Sequence, residues 1–255
     1  MSRVYPPSLL EKKKNKQGIS VLTAYDCLTA GLLDEAGIDV VLVGDSLGNT
    51  FAGHASTLPV TMDQMIYHTQ AVARGVSRAM VLGDMPFLSY QLSAEEAKKN
   101  AGRFLKEAGA HAVKLEVGVE ADFAAVQAVL DLGVPVMGHL GLTPQHVYRL
   151  GGYKRQGKSA EEAQRLLTWA QRLEAMGCFS VLVECIPDAL AGDIRNALSV
   201  PLIGIGSGPD CDGQVLVTAD LLGLNANAPA FVKPKANLRS TALEALRHFH
   251  GDLQS

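Results

Sequence analysis

The chain has 255 residues, 47% hydrophobic and 19% charged, with a formal net charge of −3 and a pI near 6.2. This balance excludes a disordered chain and gives no electrostatic reason to expect nucleic acid or an anionic membrane, so the expected partner is a small molecule. No run approaches the roughly 18 apolar residues of a membrane span, and no apolar leader follows Lys12-Lys13-Lys14, so a cytoplasmic protein is expected.

Residues 1–17 read as a short polar arm with a turn of helix near Leu9 to Lys14. Ile19 to Leu22 is the first strand, ending at Thr23-Ala24-Tyr25-Asp26, and the helix after it closes at Gly37. The second strand is the unbroken run Val40-Val41-Leu42-Val43, which suits a parallel strand covered on both faces. It leads directly into Gly44-Asp45-Ser46-Leu47-Gly48. There Gly44 is expected to let the chain turn, Asp45 to offer an anionic oxygen, Ser46 a hydroxyl, and Gly48 to keep the loop open to a ligand. The segment from Thr50 to Pro59 is longer than the usual connection of about two to six residues, as binding loops are.

Thr61 with Gln64, Ser93 with Glu96, and Ser159 with Glu162 have capping-box spacing and open three further helices. Between and after them lie a third strand at Ala79 to Gly83, ending at Asp84, and a fourth at Ala112 to Leu115, followed by Glu116. A helix over Val119 to Leu132 leads to a fifth strand at Val134 to Met137, followed by Gly138-His139. The sixth strand is Phe179 to Val183, ending at Glu184, and the seventh is Val200 to Ile205. Gln214 to Thr218 is the candidate eighth strand, and Leu238 to Phe249 a closing helix. Cys27, Cys178, Cys185 and Cys211 have no C-x-x-C spacing and read as reduced thiols. Trp169 reads as a packing residue on a helix.

Eight strand-helix units in about 250 residues imply a single-domain (β/α)8 TIM barrel over residues 1–255. The alternative, an open doubly wound sheet, lacks a G-x-G-x-x-G after its first strand. Polar residues then fall in one pattern: Asp45 and Ser46, Asp84, Lys114 and Glu116, His139, and Glu184 stand at the C-terminal ends of five consecutive strands. In this fold those ends meet on the face that carries active sites. Two or three carboxylates without thiolates suit a hard cation such as Mg²⁺. A 2-oxo acid chelating that ion would lose a proton beside its carbonyl to Glu184, with Lys114 holding the oxyanion or carboxylate. His139 reads as a supporting residue behind the ligands.

Val43 to Gly48, Thr57 to Thr61, Gly83 to Phe87, Lys114-Leu115-Glu116, Gly138 to Gln145, Gly151 to Lys154, and Glu184 to Pro187 together resemble the ketopantoate hydroxymethyltransferase family. The resemblance implies a Mg²⁺-dependent barrel that moves a hydroxymethyl group from 5,10-methylenetetrahydrofolate to 3-methyl-2-oxobutanoate in pantothenate biosynthesis. It also implies Asp45, Asp84 and Glu116 at the metal, Glu116 partly through water. Asp45, Ser46, Asp84 and Lys114 would be at the oxo acid, Glu184 the proton acceptor, and the assembly a homo-oligomer, often a decamer. Two positions depart from the family pattern: Val117 stands before Gly118 where the family often has two glycines, and Ala219 before Asp220 where it has His. Three other readings are open: a phosphoenolpyruvate mutase or isocitrate lyase type enzyme, a Lys114 Schiff-base aldolase, and a barrel subunit without turnover.

Overall fold

The short apolar runs do form parallel strands. In the computed structural model, which describes residues 3–254, they are β1 (Ile19–Thr23), β2 (Val40–Val43), β3 (Met80–Asp84), β4 (Ala112–Glu116), β5 (Val136–Gly141), β6 (Ser180–Glu184), β7 (Leu202–Ile205) and β8 (Gly213–Leu216). They pair in sequence order into a closed barrel. Residues 1, 2 and 255 of the expected arm and C-terminus lie outside the described residues.

The helices are α1 (Pro6–Lys14), α2 (Cys27–Glu35), α3 (Leu47–Thr50), α4 (Met62–Gly75), α5 (Ala94–Lys106), α6 (Asp122–Asp131), α7 (Val147–Leu150), α8 (Ala160–Met176), α9 (Asp188–Ala197), α10 (Thr218–Leu221) and α11 (Leu238–Asp252). Two of the three capping boxes form as the spacing requires, Thr61 with Gln64 and Ser159 with Glu162. The third is one-sided: Ser93 Oγ accepts from the Glu96 N–H, but Glu96 turns to the Asn100 amide. No helix among the described residues is long and apolar enough to cross a membrane.

The barrel interior is built from alternate strand residues: Ile19 and Val21, Val40 and Leu42, Met80 and Leu82, Ala112, Met137, Leu182, Ile203 and Val215 form one buried cluster. Val4 and Leu9 join it, so the N-terminal arm is not merely polar. Its helix α1 runs from Pro6, and its lysines are anchors. Lys12 Nζ lies 2.7 Å from the Asp39 carboxylate. Lys13 Nζ lies 2.9 Å from Asp212 and 2.8 Å from the Val200 carbonyl.

The chain divides into two compact units, one up to Val215 and one from Leu216. In the second, Asp220 Oδ1 accepts from the Asn225 amide, and the Lys235 and Leu238 N–H groups donate to the Leu221 and Leu222 carbonyls. Its helix α11 is capped by Asn237 and buries none of its residues.

Candidate active site

Side chains alternate across a strand, so the interior row of apolar residues predicts what points into the barrel at each strand's end. Asp84 continues Met80 and Leu82, Lys114 and Glu116 continue Ala112, His139 continues Met137, and Glu184 continues Leu182. The register sets them side by side: Asp84 opposite Lys114, Glu116 opposite His139, and Gly141 opposite Glu184. Asp84, Glu116 and Glu184 are therefore the last residues of their strands. His139, expected just beyond β5, lies inside it, because β5 starts two residues later than its apolar run and extends to Gly141.

Asp45, Asp84, Lys114, Glu116 and His139 are each at most 4% exposed, whereas the Glu184 side chain is 18% exposed. Of the set, Glu184 is thus the group most open to an incoming molecule. Lys114 Nζ donates to Asp84 Oδ1 at 2.6 Å, and the Asp45 N–H donates to Asp84 Oδ2 at 3.1 Å. His139 stands between two carboxylates, its Nε2 3.4 Å from Glu184 and its Nδ1 3.6 Å from Glu116, with neither nitrogen hydrogen-bonded.

Three carboxylates and one ammonium leave this buried cluster two negative charges in surplus, and the titration of its members responds. Burial, reinforced by the charges of Asp84 and Glu116, pushes the Asp45 carboxyl well up. Burial pushes Glu116 up to about 8. Burial opposes the Lys114 ammonium, but Asp84, Glu116 and Asp45 outweigh it and raise its pKa. Burial, with Lys114 nearby, lowers the pKa of His139 against the opposing pull of Glu184 and Asp84. A divalent cation would remove the surplus charge. Glu116 Oε1 also supports such an ion, being fully buried without a hydrogen-bond partner. As the side chains stand, Lys114 occupies Asp84, and no three His, Cys, Asp or Glu side chains among the described residues are grouped to ligate an ion. The arrangement thus offers two or three carboxylate oxygens and leaves other positions to water or substrate.

Ser46 follows β2 and pairs its hydroxyl with Tyr25 Oη at 2.8 Å. Gly48 does not keep a loop open. It lies buried in α3, where an added Cβ would sit 2.7 Å from Val60 Cγ2, so the close approach of the Ser56 to Val60 segment is what requires glycine. Residues with no assigned role in the sequence pattern also face the cluster. Tyr25 stands just past β1, and Gln145 bonds to both Asp45 and Glu116. Tyr25 was accessible by the strand-end rule that identified the others; Gln145 lies four residues past its strand and follows no such rule.

The profile of the family described as ketopantoate hydroxymethyltransferase matches residues 3–255. The chain belongs to this family. A relative from Syntrophomonas wolfei named 3-methyl-2-oxobutanoate hydroxymethyltransferase is 52% identical over 100% of this chain and 92% of its own length. A relative of the same name from Cyanothece sp. is 51% identical over 98% and 95%. This chain is accordingly an enzyme of the hydroxymethyltransferase class. Among solved structures, a phosphonopyruvate hydrolase complex with oxalate and Mg²⁺ superposes with a TM-score of 0.66 at 13% identity, covering 98% of this chain and 87% of that one. A 2,3-dimethylmalate lyase superposes at 0.62 and 14% identity, with the same coverage. At that identity these two show a shared barrel and no more.

Proposed function

We propose that this ketopantoate hydroxymethyltransferase family member transfers a hydroxymethyl group from 5,10-methylenetetrahydrofolate to 3-methyl-2-oxobutanoate, forming 2-dehydropantoate. The observation that supports this most is the joining of Asp45, Asp84, Lys114, Glu116 and Glu184 on one interior end of the barrel. Mg²⁺ held by Asp45, Asp84 and Glu116 would supply electrophilic stabilisation of the negative charge that develops on the oxo acid.

The protein's own groups do the rest. Lys114, protonated and anchored on Asp84, presents a fixed positive charge to the carboxylate of the oxo acid. Ser46 Oγ, held by Tyr25, is the hydroxyl available to the same carboxylate. Glu184 accepts the C3 proton, and the resulting enolate carbon bonds to the one-carbon unit as that unit's two bonds to the folate nitrogens break; water supplies the hydroxyl oxygen, and the C3 proton and one water proton end on the folate nitrogens. Gly141 helps aim Glu184: its φ of +93° is open to glycine, and a Cβ there would stand 2.4 Å from the Glu184 carbonyl. A Schiff base on Lys114 is disfavoured, because that chemistry needs a neutral amine and this one is held charged. The reading includes a homo-oligomer in the cytoplasm. Leu28, Leu32 and Tyr67, 83%, 66% and 68% exposed on α2 and α4, suit contacts between subunits.

The test is turnover. Purified protein with Mg²⁺, 3-methyl-2-oxobutanoate and 5,10-methylenetetrahydrofolate should yield 2-dehydropantoate, seen by mass spectrometry, and chelation should stop it. No product under those conditions would refute the assignment.

A further inference from the structure

Gln145 lies in the turn Pro144–His146 after β5 and is 3% exposed. Its side-chain amide is fully used. Nε2 donates to Asp45 Oδ2 at 3.0 Å and to the Met85 carbonyl at 2.9 Å, while Oε1 accepts from Tyr90 Oη at 2.9 Å and Gln91 Nε2 at 3.2 Å. Its backbone N–H donates to Glu116 Oε2 at 3.0 Å. The orientation of the amide is fixed chemically. The Met85 carbonyl can only accept, so nitrogen must face it, and a flipped amide would set oxygen against both that carbonyl and the Asp45 carboxylate. Tyr90, fully buried, also lies 3.0 Å from the Glu116 carbonyl, which ties the same hydroxyl to β4.

One residue thus joins the loop after β2, the loop after β3, the end of β4 and the turn after β5. Its two bonds take one oxygen from each of two carboxylates. Gln145 leaves Asp45 Oδ1 and Glu116 Oε1 to other partners, and Glu116 Oε1 is completely buried with no hydrogen bond among the described residues. A carboxylate pinned at one oxygen presents the other in a single direction, as groups that orient metal ligands do.

We propose that Gln145, braced by Tyr90, is a positioning residue that aims the free oxygens of Asp45 and Glu116 and so sets the affinity of the pocket for a divalent cation. The inference rests on the functional reading above, which places an ion between these carboxylates. Its test needs no substrate.

Mn²⁺ binding, followed by electron paramagnetic resonance with Mg²⁺ as competitor, is measured on the full chain. Gln145→Met, close in volume but without the amide, is expected to weaken Mn²⁺ about 10- to 100-fold. Tyr90→Phe, which removes only the brace, should weaken it about two- to tenfold. Circular dichroism and thermal unfolding without metal check that each variant is folded, since a purely packing role would lower Tm without a change in affinity. Unchanged Mn²⁺ affinity in folded Gln145→Met, or in Tyr90→Phe if Gln145→Met does not fold, overturns the proposal. So does a wild-type chain that binds no Mn²⁺. If the wild type binds Mn²⁺ tightly and the variants weakly, yet no 2-dehydropantoate forms, the functional reading fails and the positioning role of Gln145 stands.

Discussion

Replacing Lys114 with Met tests the electrostatics of the site directly. Among the described residues the ammonium is the one cation hydrogen-bonded to the Asp45, Asp84 and Glu116 cluster, 2.6 Å from Asp84 and 4% exposed. Without it the formal charge of the Asp45, Asp84 and Glu116 cluster falls from −2 to −3, while Met fills a similar volume. Removing one member of a buried ion pair costs about 4 kcal/mol, which for a chain of this size is a fall in Tm of roughly 8–16 °C. The penalty should shrink at low pH. The variant's carboxyls, already raised in Asp45 and Glu116, would rise further, so the folded state of K114M holds more protons than the wild type's. The deficit measured by calorimetry is therefore larger at pH 8 than at pH 5.5. Saturating Mg²⁺, supplying the missing charge, should raise the Tm of K114M more than that of the wild type. An equal Tm for both proteins at pH 8 without metal, or an equal Mg²⁺ response, would refute the reasoning.

Gly141→Ala puts a Cβ 2.4 Å from the Glu184 carbonyl at a φ of +93°. It should cost about 2 kcal/mol, roughly 4–8 °C in Tm, and lower kcat because Glu184 is displaced. Tyr25→Phe leaves Ser46 Oγ without its 2.8 Å partner. It should raise KM for the oxo acid about two- to tenfold with kcat nearly unchanged, read from steady-state kinetics. Asp34 accepts from the Ser77 hydroxyl and the Ser77, Arg78 and Ala79 N–H groups, and these bonds outweigh burial and pull its carboxyl down to about 2. A carboxyl lowered in the folded state stabilises above its ordinary pKa, and that stability disappears as pH falls toward 2. Asp34→Asn should therefore lower Tm at pH 7, with the gap from wild type closing between pH 4 and pH 2.

The barrel was legible because each strand is a short apolar run bounded by turn chemistry, and the chemical residues because they follow those runs directly. The ends of β3, β4 and β6 lie one residue beyond the apolar run and that of β5 four residues beyond, for one physical reason. In the local pattern a polar residue marks the end of a strand, but in this closed barrel the top interior layer is itself polar, so Asp84, Glu116, His139 and Glu184 belong to their strands. In β8, Gly213 starts the strand where a Cβ would meet the Ile19 carbonyl at 2.4 Å, a contact with no trace in the local pattern. The three lysines of α1 belong to a stretch that reads as a short polar arm, while two of them reach Asp39 and Asp212, 27 and 199 residues away in sequence. Gln145 was visible only as part of a family block, since its partners come from three other strand ends.

The most direct test of the account is proton exchange at C3 of 3-methyl-2-oxobutanoate in D₂O, followed by NMR with protein and Mg²⁺ but no folate. The account predicts exchange in the wild type, none above background after chelation, and none in Glu184→Gln, although that variant still binds Mg²⁺ and the oxo acid. Exchange at the wild-type rate in Glu184→Gln, or its absence in the wild type even with tetrahydrofolate added, would contradict it.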